Sequence, residues 1–246
     1  IKILFYEKLS KLQFRIASAL GLYLIYFAGS FGWIVTYIKE KSFSGESAFW
    51  ANQSISFNLN PPFAISLIII IAIFQILIKD NFKKTAFIAL CLLIGPLIAF
   101  KAYGGILILA SLLIYGLLRR SLLHLLIFIV GSAISAILYL LNFTIGTKVL
   151  LFSPFWFIHS MIDSPDRVGW LRLTLARESG ITAGNWFKYI SSEIIGFLIF
   201  LVGNLGVRFF ALFSLLKFNK ILKQKGYLFL FIFTLLSFSI PIIFIQ

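Results

Sequence analysis

The run FAISLIIIIAIFQILI, residues 63–78, contains no charged side chain, and Ser66 and Gln75 are its only polar ones. A segment of this kind constrains a chain severely, because it is apolar on every side and in water would need burial all round. In lipid it is at home as a helix, which satisfies every backbone N–H and C=O internally, whereas an isolated strand leaves them bare. Similar stretches recur at 12–38, 61–78, 85–100, 102–118, 121–141, 190–216 and 226–246. They predict an all-α, polytopic transmembrane helix bundle of about seven spans, built as a single membrane domain over 1–246. Composition agrees, since 61% of residues are hydrophobic, 12% are charged and the mean hydropathy is +1.02. One soluble core cannot hide that much apolar surface.

The third and fourth segments are separated only by Lys101 and the Gly104-Gly105 pair. As one helix, 85–118 would be roughly 50 Å long and would carry a lysine near its middle, against a hydrocarbon core of ~30 Å. The favoured reading is a hairpin with Lys101 at the interface; a tilted helix kinked at Gly95-Pro96 is the alternative.

A net charge of +14 in a soluble protein would suggest nucleic acid. Here the charges punctuate apolar segments, so the expected partners are membrane lipids and no nucleic acid. The positive-inside rule orients the chain with its N-terminus cytoplasmic, in what reads as a bacterial plasma membrane. That side collects Lys2, Lys8, Lys11, Arg15, Lys79, Lys83, Lys84, Arg119, Arg120, Lys217, Lys220, Lys223 and Lys225. The segments 39–60 and 142–189 then face outward and hold, at their length or margins, Glu40, Glu46, Asp163, Asp166, Glu178 and Glu193. With no initiator methionine, and a last stretch SIPIIFIQ that stops inside an apolar segment, the chain reads as a fragment. Cys91, the one cysteine, leaves no disulfide or thiolate metal site to build.

The segment 142–189 is longer than a turn between helices requires, and long ordered loops are where membrane enzymes keep polar chemistry. Trp156, Trp170 and Trp186, with Phe155 and Phe157, suit a headgroup interface. Ser164-Pro165-Asp166 reads as a helix start and Gly180 as its stop, with Val168, Leu171 and Leu175 on one narrow face lying along the membrane.

No soluble-enzyme signature of the GxGxxG, GxxxxGK[ST], HExxH or GxSxG type is present. His124 and His159 are too few for a metal cluster, which leaves the outward carboxylates Asp163 and Asp166 as candidate ligands for a divalent metal or an acceptor. An equally simple role is turn formation for Asp163 and helix-dipole pairing for Asp166. Four cations are candidate lipid-phosphate contacts: Lys101, Arg167, Arg172 and Arg208, the last inside the sixth segment, where an arginine either meets an anion or snorkels.

The segments WANQSISFNLNPPFAISL (50–67), FKAYGGIL (100–107), SPFW (153–156) with SPDRVGW (164–170), and GNLGVRFF (203–210) resemble parts of large bacterial members of the GT-C superfamily of polytopic glycosyltransferases. The resemblance implies a polyprenyl-phosphate sugar donor, inverting transfer at the outer membrane face, and a catalytic acid in the first outward loop, often within an acidic pair. No acidic pair of that kind stands here; the resemblance implies that the loop carrying the acid precedes Ile1, outside this fragment, so the catalytic residue is unknown at this point. A transporter or flippase of lipid-linked substrates and a non-catalytic scaffold of envelope assembly are the other classes the sequence admits. No internal repeat supports the first, and apart from Arg208 the segments hold few strongly polar residues.

Overall fold

The computed structural model describes residues 10–26, 29–43, 49, 60–78, 84–142, 151–217 and 225–245, and these are almost entirely helical. In chain order the helices are α1 (Lys11–Tyr26), α2 (Gly32–Glu40), α3 (Pro61–Ile78), α4 (Lys84–Phe100), α5 (Ala102–Leu118), α6 (Leu122–Asn142), α7 (Trp156–Asp163), α8 (Leu171–Thr182), α9 (Trp186–Leu205) and α10 (Lys225–Ile243). A 3-10 stretch, Gly206–Lys217, follows α9. Two short strands, β1 (Leu151–Phe152) and β2 (Phe244–Ile245), pair antiparallel.

The chain divides into two compact units. The first takes in Ile1–Ala19, Ile55–Val149 and Leu215–Ile240; the second takes in Leu20–Ser54, Leu150–Ser214 and Pro241–Gln246.

In the first unit α3, α4, α5, α6 and α10 enclose a core of Ile73, Leu90, Ile94, Leu97, Ile108, Leu112, Tyr115, Ile127 and Phe229. Small residues bring these helices together: a methyl group at Gly95 would run into Ile134, and one at Gly131 would lie 3.0 Å from Ile94. With little hydrophobic drive between helices in lipid, such close approach is a main source of association. The break between α4 and α5 falls at Lys101, whose extended backbone precedes α5.

Among the described residues four helices are long and apolar enough to cross a membrane: Pro61–Ile78, Leu122–Leu141, Trp186–Phe210 and Gly226–Ile243. The expected count of seven is therefore not met by length. Lys84–Phe100 and Ala102–Leu118 are apolar but shorter. The stretch 12–38 is not one helix, because α1 ends at Tyr26 and α2 begins at Gly32. At the restart the Gly32 amide donates to Ser30 Oγ at 3.1 Å, and the Phe31 amide donates to the Gly203 carbonyl at 2.8 Å. Gly206, at φ +54, ends α9, and a β-carbon there would run into the Gly29 carbonyl, so no side chain fits. Periodicity alone could not reveal this break, because its partners lie far along the chain.

In the second unit α7, α8 and α9 meet around Ile158, Met161, Ile162 and Phe200, which are nearly inaccessible to solvent. Much of the long outward loop expected over 142–189 is thus helix. The expected helix start at Ser164-Pro165-Asp166 is not used: Ser164 ends α7, residues 165–168 form a turn, and α8 begins at Leu171. Gly169 at φ +59 lets the chain reverse there. Val168 consequently packs on the core from the turn, while Leu171 and Leu175 are exposed. Gly180 does not stop the helix either. It lies buried inside α8, where a β-carbon would sit 2.8 Å from the Tyr189 backbone nitrogen, so it is the point at which α8 and α9 nearly touch.

Candidate functional site

The strongest concentration of polar side chains in the second unit lies where α7, α8 and α9 converge. His159 and Asp163 stand four residues apart on α7 and hence on one face. Arg177 comes from α8 and Glu193 from the second turn of α9. That helix is well started, since the Asn185 side chain accepts from the Lys188 amide at 3.0 Å.

Arg177 grips Asp163 with two parallel contacts, Nη2 to Oδ2 at 2.6 Å and Nη1 to Oδ1 at 3.2 Å, and Thr174 Oγ1 donates to the same Oδ1 at 2.8 Å. This is the fork geometry that makes guanidinium–carboxylate pairs strong. On the other side Arg177 Nε lies 3.9 Å from Glu193 Oε1. His159 Nε2 donates to the Glu193 carboxylate, 3.0 Å from each oxygen. The Glu193 and Arg177 side chains are only 10% and 14% exposed, so their charges sit in a medium far less polarizable than water. Isolated there, each would cost several kcal/mol; together they offset one another. Burial alone would pull the Arg177 guanidinium down, but Asp163, with Glu193 and Glu178 adding, holds it above its ordinary value.

Glu193 also faces a cleft of about 370 Å³ lined by Phe155, Tyr189, Ile190, Ile194 and Phe197. The other lining side chains are aromatic or aliphatic, and the wall of the cleft is almost wholly apolar. Phe155 stacks against His159 at 6.3 Å between centroids. Its backbone is left-handed, φ +64, a conformation costly for an aromatic residue and held here by its amide donating to the Ile242 carbonyl at 2.7 Å.

The residues singled out from sequence fare unequally. Asp163 joins the cluster, as the partner of Arg177. Asp166 is turned outward, its side chain 72% exposed, and pairs with the neighbouring Arg167 at 3.3 Å, so the two aspartates have different partners. The turn carrying them is pinned by Lys39, whose ammonium donates to the Pro165 carbonyl at 2.8 Å and the Arg167 carbonyl at 2.6 Å. Arg172 is exposed on α8. Arg208 lies in the 3-10 stretch, with Nε 3.4 Å from the Leu205 carbonyl. Lys101 belongs to the first unit, where its ammonium lies 5.5 Å from the centre of the Tyr103 ring. Among the described residues no three His, Cys, Asp or Glu side chains converge as a metal site.

His159, Arg177 and Glu193 were not chosen from sequence as site residues. The available signal was Glu193 itself, an acid at the edge of the apolar segment 190–216, together with the His159–Asp163 spacing.

No protein-family model matches this chain. No curated protein and no solved structure matches it significantly.

Proposed function

We propose that this chain is an integral membrane protein of the glycosyltransferase kind, moving a sugar from a polyprenyl-phosphate donor to an acceptor hydroxyl at the outer face of the membrane. The observation that carries the reading is Glu193, a carboxylate held by His159 and Arg177 at the wall of an apolar cleft in the second unit. Four helices of membrane-crossing length support the setting, and the apolar pair α4 and α5 adds a hairpin with Lys101 at its outer end. Basic residues at 79–84, 119–120 and 217–225 favour the cytoplasm, which supports an outward position for residues 151–189.

In this reading Glu193 takes the proton of the acceptor hydroxyl as the oxygen bonds to the anomeric carbon. The bond from that carbon to the donor phosphate breaks, and the lipid phosphate leaves as an anion. Arg172, exposed on α8, is the sequence-selected cation assigned to meet that charge. His159 orients the carboxylate.

A second reading, a non-catalytic scaffold, draws on the close mutual pairing of Asp163, Arg177, Glu193 and His159, which also serves to fasten three helices. One experiment separates the two. Reconstituted protein is supplied with radiolabelled polyprenyl-phosphate sugar and outer-leaflet lipid. Wild type should release polyprenyl phosphate and Glu193→Gln should not, with both proteins unfolding at similar temperatures. Equal turnover by the two proteins, or none by wild type, would remove the transferase reading.

A further inference from the structure

We infer that Arg208 grips the phosphate of an anionic membrane lipid, beside the point where two interrupted apolar segments meet. The inference goes beyond the transferase reading and does not depend on it. The segment 12–38 is broken between Tyr26 and Gly32, and the segment 190–216 is broken at Gly206. The two breaks touch, since a β-carbon on Gly206 would run into the Gly29 carbonyl and the Phe31 amide donates to the Gly203 carbonyl. Backbone is interrupted inside lipid only where its polar groups find other partners. Here they do, because the Gly206 amide donates to the Val202 carbonyl and the Gly32 amide to Ser30 Oγ.

The guanidinium just beyond Gly206 is less well provided for. Arg208 is half-buried, and its one hydrogen bond among the described residues runs from Nε to the Leu205 carbonyl at 3.4 Å; none of their carboxylates pairs with it. Nor does the chain bring an acid along: from Ile194 to Gln246 it holds Arg208, Lys217, Lys220, Lys223 and Lys225 and not one Asp or Glu. A cation inside a membrane-length segment is costly until an anion meets it, and Arg208 lies within Trp186–Phe210. Beside it Val207 and Phe210 are 43% and 66% exposed, apolar surface that suits acyl chains, so the anion within reach is a lipid headgroup. With Nε tied back to Leu205, the two terminal nitrogens form a fork that matches two oxygens of one phosphate. Leu205 lies roughly 18 Å from Glu193 along the axis of α9, so this phosphate is not the one that leaves beside Glu193 in the proposed transfer.

The test uses the full chain in nanodiscs of phosphatidylcholine, with phosphatidylglycerol as the anionic probe, and native mass spectrometry of the lipids that stay bound on release. Wild type should retain phosphatidylglycerol in preference to phosphatidylcholine. Arg208→Gln should weaken that retention at least about five-fold, what one cation contributes at an anionic headgroup. Arg208→Lys should recover part of the loss, because an ammonium cannot make the forked contact. Lys188→Gln, which removes an exposed cation from the same helix, should change nothing. If the Arg208 variants fail to fold, phosphatidylglycerol carrying a diazirine at its headgroup decides, since in wild type it should label Val207, Phe209 or Phe210. Absence of any preference for phosphatidylglycerol, an equal loss in Lys188→Gln, or labelling spread evenly over all the spans would overturn the inference. Displacement of the lipid by inorganic phosphate would make the ligand a free anion and overturn it as well. Sugar transfer without retained phosphatidylglycerol would remove this site and leave the transferase reading, and retention without transfer would do the reverse.

Discussion

His159 Nε2 lies 3.0 Å from both carboxylate oxygens of Glu193, so one imidazole N–H is shared across the two oxygens of an acid that is otherwise almost enclosed. This symmetric contact fixes the plane of the carboxylate relative to α7.

Glu193→Gln therefore removes the proposed base while keeping volume and a carbonyl acceptor for His159. Transfer should fall by about 10²- to 10⁴-fold, the range that general base catalysis contributes. The check is product release measured beside thermal unfolding, and a loss of activity that merely tracks lost stability would point to a structural role.

Replacing Arg177 leaves Asp163 and Glu193 facing each other without their cation. Arg177→Met should cost about 3 kcal/mol, the lower end for breaking a buried pair, since Asp163 is 27% exposed and regains some water. Arg177→Lys should recover only part of this, because an ammonium cannot make the two parallel contacts. Thermal unfolding of the detergent-purified variants reads both.

At Gly180 the obstacle is backbone, not a movable side chain, as a β-carbon would sit 2.8 Å from Tyr189 N. Gly180→Ala should push α8 from α9 and destabilise the second unit by about 1–3 kcal/mol, the usual cost of overpacking. It should also lower the proposed transfer, because Arg177 rides on α8. By contrast Gly196, whose nearest neighbour is Ile158 at 3.7 Å, should accept alanine with little change.

Much of the fold was legible because the membrane imposes its own grammar. Apolar runs near 61–78, 121–141, 190–216 and 226–246 correspond to helices of crossing length, and the break at Lys101 followed from charge and length together. What the sequence hid were contacts between distant positions. The split near Gly29 is tied to Gly203 and Gly206, and the true role of Gly180 appears only once Tyr189 is beside it. The helix start expected at Ser164 had sound local chemistry, yet the turn there is closed by Lys39, which no local rule brings near. Of the site, Asp163 was visible as an outward acid, whereas Glu193 was read as a loop margin because its partners sit on other helices.

Lys39 supplies a further prediction. Lys39→Met removes both donors to the 165–168 turn while preserving the aliphatic stem. Amide hydrogen exchange across Asp166, Arg167 and Val168 should accelerate, with α3 to α6 unaffected. Unchanged exchange in the turn would mean that Gly169 and the Val168 amide, which donates to the Met161 carbonyl at 3.0 Å, suffice to hold it.

The pairing of β1 with β2 has a consequence for how the molecule is made. Phe152 stands opposite Phe244, and Trp156 Nε1 donates to the Phe244 carbonyl at 2.6 Å, just before the helix that carries His159 and Asp163. As the chain leaves the ribosome, residues 151–163 must wait for Phe244 and Ile245 before this edge can close. The second unit is thus completed only after Phe244 and Ile245 have emerged, and a chain arrested before Phe244 would carry Asp163, Arg177 and Glu193 without the brace that seats α7.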